Sequence, residues 1–217
     1  MKSFRKRAEY ICLSLFVLLL SQVSFFYMGK TIQSGKSFGL RSTIVCFLIY
    51  FLVIFYSLRI GKQEKLLSFN FHVFNWSDIS MLLLSFLIFI PIVFLTVIVA
   101  KIEGAPQITS NQATLDSLFS NVPKVLMFID SVIKAPVLEE ITFRGLIPQK
   151  IFPHNQVKGL MVGVVLFGLF HFPTNISSFI FYTGSGAILA WVAYSSKRLE
   201  MSILAHTLRN FTAFLLQ

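Results

Sequence analysis

The sequence predicts an all-α fold, a polytopic transmembrane bundle of about seven helices (six to eight) with an intramembrane polar cavity. The first observation behind this prediction is composition. Of 217 residues, 55% are hydrophobic and only 13% are charged, and the mean hydropathy is +0.76, which lies outside the range of soluble globular domains. The second is length, since several apolar stretches approach the ~20 residues that a helix needs to cross a ~30 Å hydrocarbon core.

The apolar segments follow one another along the whole chain. They are residues 10–29, 42–58, 80–100, 118–138 with a continuation through the Glu139-Glu140 pair, 158–173, 176–195 and 200–217. No repeat of fixed period and no low-complexity run divides them, so we expect a single membrane domain over residues 1–217. The ionisable residues within apolar segments are concentrated late in the chain. We therefore expect the functional core at about 120–217.

The distribution of basic residues predicts the orientation. Arg5, Lys6 and Arg7 precede the first apolar run, and Lys/Arg bias places such an N-terminus in the cytoplasm. No signal-peptide cleavage site follows the run, so it is interpreted as a retained first helix. The net charge of +10 is explained by cytoplasmic loops beside anionic lipid headgroups. No nucleic-acid-binding motif and no phosphate-binding glycine loop is present, and neither nucleic acid nor a nucleotide is expected as a partner.

The stretch Glu139-Glu140-Ile141-Thr142-Phe143-Arg144 places two carboxylates and a guanidinium among apolar residues. Ionisable groups at membrane depth are functional suspects by default. On a helix, Glu140 and Arg144 are neighbours at positions i and i+4 and can neutralise each other. Glu139 is rotated by about 100° from Glu140. We therefore expect Glu139 to point to a different face and to meet groups from other helices.

Two further polar pairs lie downstream, Phe167-x-x-x-His171 and His206-x-x-x-Asn210. A carboxylate in a partly desolvated pocket can take a proton from water and return it, which makes Glu139 the natural general base. His171 is expected to orient the water, and His206 with Asn210 to stabilise an oxyanion. Together these groups are the parts needed to hydrolyse an amide without a covalent nucleophile.

These motifs, in this order and inside hydrophobic segments, resemble the CPBP intramembrane protease family, also called Abi. That family spans type II CAAX prenyl endopeptidases and bacteriocin-processing enzymes. The resemblance covers roughly residues 120–217. It implies an intramembrane endopeptidase, a CAAX-protease-like enzyme of the metallo type, with a role in bacteriocin self-immunity or peptide maturation.

The resemblance also implies a set of catalytic residues. They are Glu139, Glu140, Arg144, His171, His206 and Asn210. By resemblance the first glutamate activates water, and the second glutamate and the arginine support it structurally. The first histidine helps to hold the water, and the last histidine with the asparagine stabilises the oxyanion. The expected partners are a peptide or protein substrate at the membrane and the lipid bilayer, and the oligomeric state is not predicted.

Three alternatives stay open at this point. Zn²⁺ is a possible cofactor, with Glu139, His171 and His206 as its ligands and water in the fourth position. However, a His-Glu-x-x-His spacing is missing and the same three groups also suit a metal-free mechanism. The competing function is a non-enzymatic membrane immunity or binding protein that sequesters a toxin peptide or partner. The charged cluster by itself also fits a buried structural ion network.

The predicted depths of the two histidines disagree. His171 lies about 20 Å into its helix, whereas His206 enters near the opposite side of the membrane. Broken or tilted helices are therefore expected if the two residues share one site.

Overall fold

The computed structural model describes residues 2–34, 38–68, 75–106, 109, 113–114, 120 and 122–216. Within these residues there is no strand, and seven helices exceed one turn, which confirms the predicted all-α bundle. The helices are α1 (Lys2–Gln33), α2 (Leu40–Gln63), α3 (Trp76–Glu103), α4 (residues 124–151), α5 (Gln156–Phe170), α6 (Ile176–Ser196) and α7 (Leu199–Leu215). Four of them, α1, α2, α3 and α6, are long and apolar enough to cross a membrane. The protein is a multi-pass membrane protein.

Helix α4 is the central element, and it changes pitch along its length. Its α-helical parts are Lys124–Phe128 and Ala135–Glu140, and each is followed by a wider π-helical part, Ile129–Lys134 and Ile141–Ile151. The segment predicted at 118–138 with its continuation thus corresponds to one long interrupted helix. Every residue from 136 to 148 is buried. This burial explains how α4 carries so many charges, since none of this stretch faces lipid.

Most of the other helices pack around α4. Helices α1, α2, α5, α6 and α7 contact it directly, whereas α3 packs against α6 and α7. Gly163 lets α5 approach α4 closely, because a Cβ there would collide with the Phe143 carbonyl oxygen. Gly168 plays the same role between α5 and Thr183 of α6. Small residues at helix contacts are typical of membrane bundles.

Polar residues fix the ends of the helices that frame the site. Asn75 and Asn175 cap α3 and α6 through reciprocal capping boxes. At the far end of α3, Glu103 accepts hydrogen bonds from the backbone N–H groups of Ile176 (2.8 Å) and Ser177 (3.0 Å). This carboxylate satisfies two N–H groups that no helix can pair internally, and it ties α3 to the start of α6.

Several basic residues meet at one end of the bundle. The Nζ atom of Lys150 lies 3.6 Å from the Glu64 carboxylate and 6.0 Å from the Tyr10 ring. Arg198 pairs with Asp78 at 3.0 Å. The first turns of α1 and the end of α2 therefore lie beside the end of α4. The polar connections at 61–79 and 101–118 lie partly outside the described residues.

Candidate active site

The Glu140 carboxylate is the centre of the buried polar network. Its side chain is fully buried and accepts hydrogen bonds from three different groups. Arg144 donates through Nη1 at 2.9 Å, His206 lies with Nδ1 at 2.9 Å, and the Ser202 hydroxyl donates to the other carboxylate oxygen. The predicted Glu140–Arg144 ion pair is thus present. A carboxylate on Nδ1 fixes the ring orientation of His206 and leaves Nε2 to face the site.

Arg144 connects this network to α6. Its Nη2 atom donates to the Gly186 carbonyl oxygen at 2.8 Å, and its guanidinium lies 4.4 Å from the centre of the Phe167 ring. The side chain is fully buried. Its Nε atom has no hydrogen-bond partner among the described residues. Arg144 is therefore held from two sides and places the positive charge that Glu140 needs.

Glu139 is in the opposite situation. The residue is 7% exposed, and within the described part of the chain its Oε2 atom makes no hydrogen bond. This atom lies 4.0 Å from Nε2 of His206. The helical geometry predicted that Glu139 would point away from Glu140 and meet groups from other helices. Glu139 approaches His206 of α7, and Glu140 bonds the other nitrogen of the same imidazole.

His171 approaches from α5. Helix α5 ends at Phe170, and His171 forms its first residue beyond the end, with Nδ1 2.8 Å from the Phe167 carbonyl oxygen. Its ring stacks on Tyr182 at 4.2 Å between centroids. The Phe167 ring lies 4.6 Å from the His171 ring and 5.9 Å from the His206 ring. Both histidine rings therefore lie beside one phenylalanine ring despite their different predicted depths.

Asn210 has a different environment from the other candidates. Its amide nitrogen donates to the Ser131 carbonyl oxygen at 2.8 Å, a backbone group in the first π-helical part of α4. The side chain therefore joins α7 to α4 one turn beyond His206. The structure brings five of the six candidate residues around Phe167 and His206, while one hydrogen of the Asn210 amide is used in this helix contact.

The sequence interpretation missed one residue of the network and one charged residue near it. Ser202 precedes His206 by one turn and donates to Glu140, a role that its position i−4 from the histidine would have indicated. Arg209 stands immediately before Asn210, and its guanidinium lies 4.6 Å from the centre of the Phe89 ring and 5.3 Å from that of Phe181. The signal for Arg209 was an arginine in an apolar segment.

The three candidate metal ligands do not form a compact donor set. Among the described residues no group of three or more His, Cys, Asp or Glu side chains is close enough to hold a metal ion. Glu139 and His206 approach to 4.0 Å, but the Nδ1 of His171 is turned to a carbonyl oxygen. The arrangement of these residues does not fit a three-ligand zinc site, so no step is assigned to a metal below.

Comparison with known proteins finds a family match in the C-terminal part of the chain. Residues 121–212 match the model of the type II CAAX prenyl endopeptidase Rce1-like family. The matched range contains all the candidate site residues. The family resemblance predicted from the three motifs is therefore confirmed.

Individual relatives agree with this match. The chain is 32% identical over 109 residues to the putative membrane peptidase YdiL of Bacillus subtilis, which is 50% of this chain and 43% of the relative. It is 27% identical over 127 residues to the membrane-embedded CAAX protease MroQ of Staphylococcus aureus, which is 53% of this chain and 48% of the relative.

A longer alignment joins the chain to the UPF0177 protein YvdC of Lactococcus lactis. The two are 25% identical over 175 residues, covering 80% of this chain and 65% of the relative. The chain thus spans less than two thirds of the length of YvdC, YdiL and MroQ. No solved structure matches this chain.

Proposed function

We propose that this protein is an intramembrane endopeptidase that hydrolyses a peptide bond with a water molecule activated by Glu139. One observation carries the proposal. A buried carboxylate oxygen without a hydrogen-bond partner faces a histidine whose orientation is set by a second carboxylate. A buried carboxylate that serves only stability is expected to be paired. Glu140 follows that rule, whereas Glu139 Oε2 does not within the described residues.

The neighbouring groups suggest how the reaction proceeds. A water molecule beside Glu139 Oε2 donates one hydrogen to that oxygen and the other to Nε2 of His171, which is an acceptor when Nδ1–H donates to the Phe167 carbonyl. Glu139 takes a proton while the water oxygen attacks the peptide carbonyl carbon. The carbonyl oxygen becomes an oxyanion, and the C–N bond then breaks as Glu139 returns the proton to the leaving amine.

The oxyanion requires hydrogen-bond donors on the other side of the reacting carbon. His206 supplies Nε2–H when its ring is protonated, and the Glu140 carboxylate at Nδ1 compensates the charge of that imidazolium. The second hydrogen of the Asn210 amide is the other proposed donor. Glu140 and Arg144 act as positioning residues, since they touch His206 and the helix backbone rather than the substrate.

The biological role that fits this activity is peptide maturation or self-immunity against a bacteriocin. This part of the proposal rests on the family resemblance and not on particular contacts. The site around Glu139 and His206 would also be used if the protein only sequestered a toxin peptide. The two functions differ in whether Glu139 must act as a base.

The test is cleavage of membrane-presented peptides by the purified protein in nanodiscs. We compare the wild type with Glu139→Gln, His171→Ala and His206→Ala, each with and without a chelator. The matched controls are Glu9→Gln and His154→Ala, which change exposed residues of the same types. We expect the three site variants to lose about 10²- to 10⁴-fold in rate and both controls to cleave like the wild type.

Each outcome separates two explanations. Chelator-sensitive cleavage would require a metal and contradict the metal-free mechanism. A Glu139→Gln variant that cleaves or protects cells as well as the wild type would overturn the hydrolytic proposal and favour the sequestering function.

A further inference from the structure

Arg209 is a half-buried cation that the proposed mechanism does not use. Its guanidinium lies against the faces of Phe89 and Phe181 at 4.6 and 5.3 Å from the ring centres. The ion pairs found across the part of the chain that the structure describes join other residues and do not include Arg209. The other arginine of the site, Arg144, has both a carboxylate and a carbonyl oxygen as partners.

The position of Arg209 makes an unpaired charge costly. It lies ten residues after Leu199, the first residue of α7, which corresponds to about 15 Å along the helix. An arginine among apolar helices is expensive unless it has a function, and cation–π contacts supply only about 0.5–2 kcal/mol.

A pocket lies beside this guanidinium. It is a small pocket formed by α3, α6 and α7. Its lining includes Phe86, Ile188 and Leu189, with Arg209 as the one charged residue among those that line it. Ala205, the neighbour of His206 in sequence, forms another part of the wall. The pocket therefore combines an apolar wall with one positive charge next to the proposed catalytic histidine.

We propose that this pocket is the substrate-recognition site of the protease. Arg209 pairs with a carboxylate of the bound peptide, and an apolar side chain of the same peptide packs against the apolar wall. The inference rests on the proposed function, and it names the chemistry that the substrate must carry. An Arg–carboxylate pair is bidentate and strong where water is excluded. Binding of such a peptide would supply the anion that Arg209 lacks.

The carboxylate has two possible sources, the C-terminus of a peptide or an acidic side chain. The experiment therefore uses three short leucine- and alanine-rich peptides with an N-terminal fluorophore. The first has a free C-terminal carboxylate, the second a C-terminal amide, and the third a C-terminal amide with one internal aspartate. Binding is measured by fluorescence anisotropy in phosphatidylcholine nanodiscs, using the wild type, Arg209→Gln and Arg209→Lys.

The same binding series is repeated with Glu139→Gln as the background, so that no peptide is consumed. We expect a carboxylate peptide to bind about 10- to 100-fold more tightly than the plain amide, and Arg209→Gln to remove this preference. The Lys variant keeps the charge without the fork of donors and should retain part of it. Arg7→Gln, a change at an exposed arginine of α1, should leave the preference intact.

The outcomes distinguish the proposal from the function on which it rests. A preference for the first or third peptide that disappears with Arg209→Gln supports the site and identifies the carboxylate as terminal or internal. Equal binding of all three peptides, undetectable binding, or a preference that survives Arg209→Gln would overturn it. Selective binding without any cleavage would leave the recognition site standing and contradict the protease proposal, whereas cleavage without selectivity would do the reverse.

Discussion

Two buried charge clusters lie on the same interrupted helix, and they differ in how completely their atoms are paired. In the first cluster, Lys134 donates at 2.7 Å to Asp130, to the Ser24 hydroxyl and to the Ser21 carbonyl oxygen. All three hydrogens of its ammonium group are used. The second cluster, which contains Glu139 and Glu140, leaves Oε2 of Glu139 without a partner among the described residues.

The difference indicates different purposes for similar residues. The Asp130–Lys134 cluster joins α4 to α1 and leaves nothing for a ligand to satisfy. Such a fully hydrogen-bonded ion pair is best interpreted as a structural link. The second cluster lies one to two turns later. It holds the Glu140 carboxylate with three partners and leaves Oε2 of Glu139 without one among the described residues. Charge within the membrane therefore does not identify a site by itself, and the unpaired oxygen of Glu139 is the feature that separates the two clusters.

The largest expected effect separates the clusters by activity. Glu139→Gln should lower the cleavage rate by about 10³-fold without lowering the temperature of thermal unfolding, because the carboxylate oxygen has no partner to lose. The measurement is a cleavage assay beside a thermal unfolding scan on the same preparation. A Glu139→Gln variant that unfolds well below the wild type would assign Glu139 to the structural class.

The next effect is on stability. Lys134→Met removes one partner of a buried pair and leaves Asp130 charged and uncompensated, so we expect a loss of about 3–5 kcal/mol in the free energy of unfolding. Adding Asp130→Asn should recover most of that loss, because the remaining groups are neutral. The measurement is denaturant-induced unfolding of the two single variants and the double variant.

The activity of the folded fraction is the control for this cycle. Lys134 and Asp130 touch no proposed catalytic residue within hydrogen-bond distance, so the double variant should cleave within about 3-fold of the wild type. A double variant that is stable but inactive would place this cluster inside the catalytic machinery.

Much of the fold could be predicted from the sequence because the bilayer imposes length and polarity. All seven predicted apolar segments correspond to helices, since helices of one chain must satisfy their own backbone groups in lipid. The π-helical parts of α4 were not predicted. Their local sequences, such as Ile129–Lys134, carry no pattern that distinguishes a π-helix from an α-helix.

The packing of α7 against α4 limited the prediction of the site. Periodicity alone placed Glu139 and Glu140 on different faces, but a rotation of about 100° still allows two carboxylates to reach opposite edges of one imidazole ring. His206 makes this possible because its two nitrogens face different glutamates. The motif residues were predictable from their type and spacing, whereas the partner of each carboxylate depended on how α7 packs against α4.

A smaller effect tests the packing that brings α5 to the second cluster. Gly163→Ala would place a Cβ against the Phe143 carbonyl oxygen, and backbone atoms on both sides leave little room for adjustment. We expect about 1–3 kcal/mol of destabilisation together with lower activity, because His171 lies at the end of the displaced helix. Gly29→Ala in α1 is the matched control, since nothing lies within 4 Å of a Cβ there. The control should be neutral or slightly stabilising.

The smallest effect concerns Ser202, which supports Glu140 without touching the proposed water. Ser202→Ala removes one of three groups that donate to this carboxylate, while Arg144 and His206 remain. We expect a loss of about 1 kcal/mol in stability and a 3- to 10-fold lower kcat with an unchanged KM, since the imidazole is held less firmly. The measurement is steady-state kinetics beside Ser80→Ala, in which an exposed hydroxyl bonded to its own helix is removed. A large rise in KM would mean instead that Ser202 contacts the substrate and belongs to the substrate-binding residues.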